Sequence, residues 1–93
     1  MAEKRNAGLA VRAGVRTGKL DLYGTAWDPG TKHLKPWMDG KGFQYSYHDV
    51  DEEPEAAHAL GIVEVPTLIG CDTQVRGVSN IRSWLLTNGA QCQ

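Results

Sequence analysis

Few side chains in this 93-residue chain could carry out chemistry, and two of them open a predicted helix at Trp27 to Pro36. Asp28 precedes Pro29, and an aspartate N-cap with proline at the first helical position predicts a helix start. The carboxylate would lie against free N–H groups, at a place where the helix dipole stabilises anions. A thiolate is one anion that such a helix end can activate, for thiol–disulfide exchange. Neither the Asp28 carboxylate nor the Thr31 hydroxyl can replace a thiolate in that reaction. This segment therefore predicts a capped helix end without a catalytic residue.

Cys71 and Cys92 are the only thiols in the sequence. Cys71 lies five residues past Pro66 on a predicted strand, which places it roughly 15 Å away from Pro66. A Cys71–Cys92 disulfide is one hypothesis, and two free thiols in a reducing compartment are the default. His33, His48 and His58 have no companions at metal-ligand spacing, so we expect no metal site.

Periodicity predicts seven elements in the order β-α-β-α-β-β-α. The first two strands need a crossover helix and should be parallel, whereas a tight turn makes the last two antiparallel. The predicted fold class is α/β, with one mixed four-stranded sheet flanked by helices. The predicted strands are Leu20–Tyr23, Phe43–Val50, Ile62–Gly70 and Gln74–Gly77. The predicted helices begin at Asp28 (with Pro36 inside), at Asp51 (with Gly61 as its end), and at a cap provided by Ser79 or Asn80.

Two motifs in this order carry a resemblance to a known family. The stretch Trp27 to Pro36 resembles the thioredoxin active site W-C-G-P-C-K-x-x-x-P, with Asp28 and Thr31 in place of the cysteines. The stretch Gly61 to Leu68 is similar to the thioredoxin and glutaredoxin pattern G-[IV]-x-x-[VI]-P-T-L. The resemblance spans about residues 19–88 and implies a glutaredoxin-like thioredoxin fold. It also implies a cis Val65–Pro66 bond.

The resemblance implies a site whose redox chemistry is lost. The acid that assists proton transfer in thioredoxins would fall at Leu22, and an iron–sulfur cluster would need a cysteine at Asp28. We therefore expect no cofactor. In this family, a groove beside the proline holds an extended peptide or glutathione. The matching positions here are Trp27, Pro29, Val65, Pro66, Gly77 and Ser79.

The chain has three predicted parts: a basic arm over residues 1–18, a domain over 19–89 and a tail over 90–93. Residues 1–19 hold five Lys and Arg against one Glu, and the remainder holds five against ten acidic residues. The arm residues Lys4, Arg5, Arg12 and Arg16 are predicted to bind a protein partner or the domain itself. A solvated tail is the simpler interpretation. Nucleic acid is disfavoured, because the basic residues are few and lack interleaved aromatics.

The sequence predicts a non-catalytic protein-interaction or structural module, a subunit of a larger assembly such as a viral particle. The alternative is a glutaredoxin-type, glutathione-dependent thiol–disulfide oxidoreductase or glutathione-binding protein, with Thr31 stabilising the glutathione thiolate. No apolar run approaches the ~20 residues of a membrane span, and no signal peptide is visible. We therefore expect a cytoplasmic location, or one within a large assembly, and not a secreted protein.

Overall fold

The computed structural model describes residues 20–91, which form a four-stranded sheet and three α-helices. The predicted arm over residues 1–18 and Cys92 lie outside the described residues. In chain order the elements are β1 (Leu20–Gly24), α1 (Pro29–Gly40), β2 (Tyr45–Asp49), α2 (Pro54–Ala59), β3 (Thr67–Gly70), β4 (Thr73–Arg76) and α3 (Val78–Asn88), and a 3-10 turn follows at Gly89–Gln91.

The sheet has the strand order β2-β1-β3-β4. Strands β1 and β2 are parallel, with Leu22 opposite Tyr47. Strand β3 is antiparallel to both β1 and β4, and Leu68 lies between Leu22 and Val75. The predicted order of elements and the mixed α/β sheet are therefore confirmed.

Alternation along β1 separates the two faces of the sheet, because successive side chains point in opposite directions. One face of β1 carries Leu20 and Leu22, and together with α1 and α3 it forms the buried core. The opposite face carries Tyr23, whose ring stacks on that of His48 at 4.5 Å. All core side chains are at most 1% exposed: Leu20, Leu22, Leu34, Met38, Leu68, Ile81 and Leu85.

Three elements are shorter than the sequence predicts. Strand β2 covers Tyr45–Asp49 within the predicted Phe43–Val50. Strand β3 begins at Thr67 rather than Ile62, because its pairing with β1 starts at Tyr23 opposite Thr67. Residues 62–66 therefore lie outside the sheet. Helix α2 covers only Pro54–Ala59, within the predicted helix from Asp51 to Gly61.

The predicted cap of α3 by Ser79 or Asn80 is wrong. Gly77 is the N-cap at φ +86°, a left-handed conformation that glycine adopts without steric cost. The Gly77 N–H donates to the Pro66 carbonyl at 3.0 Å, and Asn80 Nδ2 donates back to the Arg76 carbonyl. A tertiary hydrogen bond thus sets the start of α3. Among residues 20–91, none of the helices combines the length and apolar content needed to cross a bilayer.

The core predicts a large difference between two leucine truncations. Leu22 is 0% exposed, so Leu22→Ala should lower the free energy of unfolding by about 2–5 kcal/mol, since it removes apolar contacts and leaves a cavity. Leu86 is 63% exposed, and Leu86→Ala should change the free energy of unfolding by less than about 0.5 kcal/mol. Urea denaturation of both variants checks this, and equal losses would contradict the described core.

Candidate functional site

The N-terminus of α1 is closed by the Asp28 side chain. Asp28 Oδ2 accepts hydrogen bonds from the Thr31 N–H at 2.8 Å and from the Thr31 hydroxyl at 3.0 Å. Pro29 occupies the first helical turn, where its missing N–H costs nothing. The predicted cap is confirmed, and one carboxylate oxygen holds both donors of Thr31.

Thr31 is 1% exposed and lies beneath β1. A Cβ on Gly24 would overlap the Thr31 hydroxyl, so the glycine makes room for this side chain. Thr31 Oγ1 also lies 3.4 Å from the Thr25 N–H, from which it accepts a hydrogen bond. The hydroxyl is therefore buried, and it donates and accepts within the chain itself.

Pro66 lies next to the start of α1. A Cβ on Gly30 would lie 3.0 Å from Pro66 Cδ and 2.8 Å from Val78 Cγ2, so these segments pack closely because residue 30 has no side chain. The Val65–Pro66 peptide bond is cis. Pro66 itself is buried, while Val65 is partly exposed.

A cleft of about 230 Å³ opens beside Trp27. The Trp27 ring is 66% exposed, and its Nε1–H donates to Asp51 Oδ2 at 2.8 Å, which fixes the indole as one wall. Of the positions suggested by the resemblance, Trp27 and Val65 line this cleft, whereas Pro29, Pro66, Gly77 and Ser79 do not. The lining residues are Thr25, Trp27, Val50, Asp51, Ile62, Val63, Glu64 and Val65.

The backbone along residues 62–65, which line the cleft, is only partly hydrogen-bonded. Ile62 N–H donates to the Ala57 carbonyl, and the Glu64 carbonyl accepts from Thr67 Oγ1 at 2.7 Å. Within residues 20–91, the N–H groups of Val63 and Val65 have no hydrogen-bond acceptor. The Val63 side chain is 79% exposed. This segment therefore offers main-chain donors to a ligand.

The surroundings of the cleft are negatively charged. Asp51 and Glu64 are its charged lining residues, and no Lys or Arg lines it. Burial raises the pKa of the Tyr47 hydroxyl, and the carboxylates of Asp49, Glu52, Asp51 and Asp28 raise it further. The same carboxylates favour cations over anions at this end of the sheet.

His48 lies in a carboxylate cluster on the sheet face opposite the core. His48 Nε2 lies 3.0 Å from Asp21 Oδ1, and Nδ1 lies 3.6 Å from Glu53 Oε1. Sequence patterns do not predict these partners of His48, because Asp21 comes from β1 and Glu53 is the residue before α2. No set of three or more His, Cys, Asp and Glu side chains within residues 20–91 is arranged to hold a metal ion.

Cys71 occupies the turn between β3 and β4, where Cys71 and Asp72 have φ values of +49° and +59°. Cys71 is disulfide-bonded, so the default expectation of a free thiol is wrong for this residue. Cys92 lies outside the described residues, and the proposed pairing of these two cysteines stays a prediction. Since β3 separates this turn from Pro66, Cys71 is not part of the cleft.

Comparison with known proteins identifies the fold. A wheat glutaredoxin aligns with a TM-score of 0.65 at 11% identity, covering 83% of this chain and 84% of that one. A buckwheat glutaredoxin in complex with glutathione gives 0.64 at 14% identity, covering 78% and 77%. The holo form of glutaredoxin C1 from Populus tremula x tremuloides gives 0.60 at 16%, covering 80% of each chain. No protein-family model and no curated protein sequence matches this chain.

The chain thus has a thioredoxin fold of the glutaredoxin-like kind. At 11–16% identity the alignments establish this fold and not an activity. What this chain can do must be argued from its own capped helix and its cleft.

The Asp28 cap predicts a graded loss of stability. Asp28→Ala should lower the free energy of unfolding by about 0.5–2 kcal/mol, because the N–H and hydroxyl of Thr31 lose their acceptor. Asp28→Asn should cost less, since an amide oxygen can still accept a hydrogen bond. Urea denaturation at neutral pH measures both variants. Equal stability of Asp28→Ala and the unmodified chain would contradict the role of Asp28 as the cap.

Proposed function

We propose that this chain is a redox-inactive, glutaredoxin-like domain that binds an extended segment of a protein partner along residues 63–65. The observation that carries the proposal is the unpaired N–H of Val63 and of Val65 beside the Trp27 wall. Exposed backbone donors pair with the carbonyls of an added strand, and the adjoining cleft selects its side chains. Such binding needs no thiol.

Three features favour loss of redox chemistry. Asp28 holds the position that the resemblance gives to the attacking cysteine, and its carboxylate already satisfies the helix end. Thr31 is buried and hydrogen-bonded. Cys71 is disulfide-bonded and belongs to a distant turn. Within residues 20–91 no thiolate is available to open a disulfide.

Glutathione binding is the competing proposal, and two features disfavour it. Thr31 could stabilise a glutathione thiolate only if its hydroxyl proton were free, but that proton goes to Asp28 Oδ2. Glutathione also carries two carboxylates at neutral pH, and these would be repelled by Asp51 and Glu64 in the cleft.

The basic arm over residues 1–18 belongs to this proposal as a second contact with the partner or assembly, a viral particle being one case. Its residues Lys4, Arg5, Arg12 and Arg16 lie outside the described residues. Support for this part comes only from the contrast between the basic arm and the acidic remainder of the chain.

A redox assay tests the inactive part of the proposal. The purified chain with glutathione and a small-molecule disulfide should give exchange no faster than the uncatalysed background, because it lacks an attacking thiolate. The double variant Asp28→Cys/Thr31→Cys should give measurable exchange, since a thiol at a helix N-terminus has a lowered pKa. Clear turnover by the unmodified chain would contradict the proposal.

Peptide selection tests the binding part. Peptides selected from a random display library on the immobilised full chain should shift the Trp27 Nε1–H, Val63 and Val65 signals in ¹H–¹⁵N spectra. Trp27→Ala removes one wall of the cleft and should weaken binding about tenfold, in line with loss of a large aromatic contact. Leu86→Ala, an exposed change on α3, is the matched control and should bind normally. Shifts confined to other surfaces would contradict the assignment of the groove.

A further inference from the structure

We propose that the segment bound along residues 63–65 is basic, and that one of its arginine or lysine side chains enters the cleft between Trp27, Asp51 and Glu64. The inference rests on the proposed function, since it names the chemistry of the partner for the same groove. Three independent features carry it: the charge of the lining, the orientation of the indole, and a buried hydroxyl without a partner.

The charge of the lining is uncompensated among the described residues. Asp51 and Glu64 come from different segments that line the cleft, and within residues 20–91 neither carboxylate forms an ion pair. The adjoining stretch 49–55 adds four further carboxylates and no cation. They belong to Asp49, Glu52, Glu53 and Glu55. A cation from a partner would lower this repulsion, and an anionic side chain would raise it.

The Trp27 ring is positioned to receive a cation. Its Nε1–H bond to Asp51 Oδ2 holds the indole against the carboxylate, although the ring is mostly exposed. Because only Oδ2 is used in this bond, Oδ1 is left to accept from a ligand. A guanidinium stacked on the indole could donate to Oδ1 at the same time, which combines a cation–π contact with an ion pair.

Thr25 supplies an unused acceptor in the same cleft. Its side chain is 2% exposed, and Oγ1 has no hydrogen-bond partner among the described residues. A buried hydroxyl without a partner destabilises a fold, and most native hydroxyls avoid it. A guanidinium carries five N–H donors, enough for both carboxylates and one further acceptor. Because Thr25 Oγ1 is buried in the free chain, its pairing with the ligand requires the Thr25 side chain to turn toward the cleft. Arginine therefore fits this set better than lysine, which has three donors on one nitrogen.

The experiment uses the full chain and short capped peptides that differ at one central residue. Arginine, citrulline or glutamate stands between alanine and valine neighbours, so citrulline keeps the shape of arginine without its charge. Titrations follow the Trp27 Nε1–H and Val63 N–H signals. We expect the arginine peptide to bind about five- to tenfold more tightly than the citrulline peptide, and the glutamate peptide least tightly. Added salt should reduce the preference for arginine.

Matched variants separate the cleft charges from general electrostatics. Asp51→Asn retains an oxygen for the Trp27 hydrogen bond but loses the charge. Glu64→Gln removes the charge of the second carboxylate and keeps the length of the side chain. Each should lower the affinity for the arginine peptide about two- to fivefold, and should thereby reduce the ratio between arginine-peptide and citrulline-peptide affinity. Asp72→Asn makes the same charge change at the β3–β4 turn, and it should alter neither the affinity for the arginine peptide nor that for the citrulline peptide.

A threonine variant tests the third feature with two readouts. Thr25→Val keeps the side-chain shape and removes the hydroxyl. The free energy of unfolding should stay equal or rise, because a buried unpartnered group is lost. The affinity for the arginine peptide should fall at least about twofold. An unchanged affinity would contradict the role of Thr25.

The remaining outcomes distinguish the two proposals. Equal binding of the arginine and citrulline peptides would overturn this inference and leave the proposed function standing. Failure of every peptide, including those selected by display, to shift Trp27 or Val63 would overturn both. The variants Arg12→Gln and Arg16→Gln are also measured without peptide. If they shift the Trp27 Nε1–H signal, the cleft is occupied by the chain's own N-terminal segment. That result would overturn the partner version.

Discussion

The site depends on how the N-terminus of α1 is satisfied. A helix start leaves backbone N–H groups without partners, and a redox-active site uses that end to stabilise a thiolate. Here Asp28 Oδ2 binds the N–H and hydroxyl of Thr31, and the missing Cβ of Gly24 lets that side chain sink beneath β1. One hydrogen-bonded unit thus satisfies and stabilises the start of the helix. The fold is kept, while the neighbouring cleft remains open.

The proposed binding groove and the buried core are formed by different residues. The core lies between the sheet and helices α1 and α3, and it makes no use of residues 62–65. Strand β3 begins only at Thr67, so the preceding backbone leaves the sheet with the N–H groups of Val63 and Val65 unpaired. The hydrogen bond between Trp27 Nε1–H and Asp51 Oδ2 connects two residues that line the cleft beside this backbone. Substitutions in the cleft can therefore alter a ligand contact without removing core packing.

Local patterns predicted the fold well, and tertiary contacts account for what they missed. Asp28 with Pro29 predicted the start of α1, because capping depends on adjacent residues. The start of α3 was mispredicted, since Gly77 is held by the carbonyl of Pro66, which is distant in sequence. For the cleft, the resemblance supplied Trp27 and Val65. It did not supply Asp51 or Glu64, because the Trp27–Asp51 bond joins residues 24 positions apart and no spacing rule predicts it.

The central claim is that the backbone N–H groups of Val63 and Val65 are free to pair with a bound segment. Amide hydrogen exchange of the full chain tests this claim most directly, residue by residue. In the free chain, the N–H groups of Val63 and Val65 should exchange rapidly, since they have no acceptor, while that of Leu68 in the sheet should be protected. A bound peptide should slow Val63 and Val65 and leave Leu68 unchanged. Protection of Val63 and Val65 that is already strong in the free chain, and unaltered by peptide, would contradict a groove that binds through its backbone.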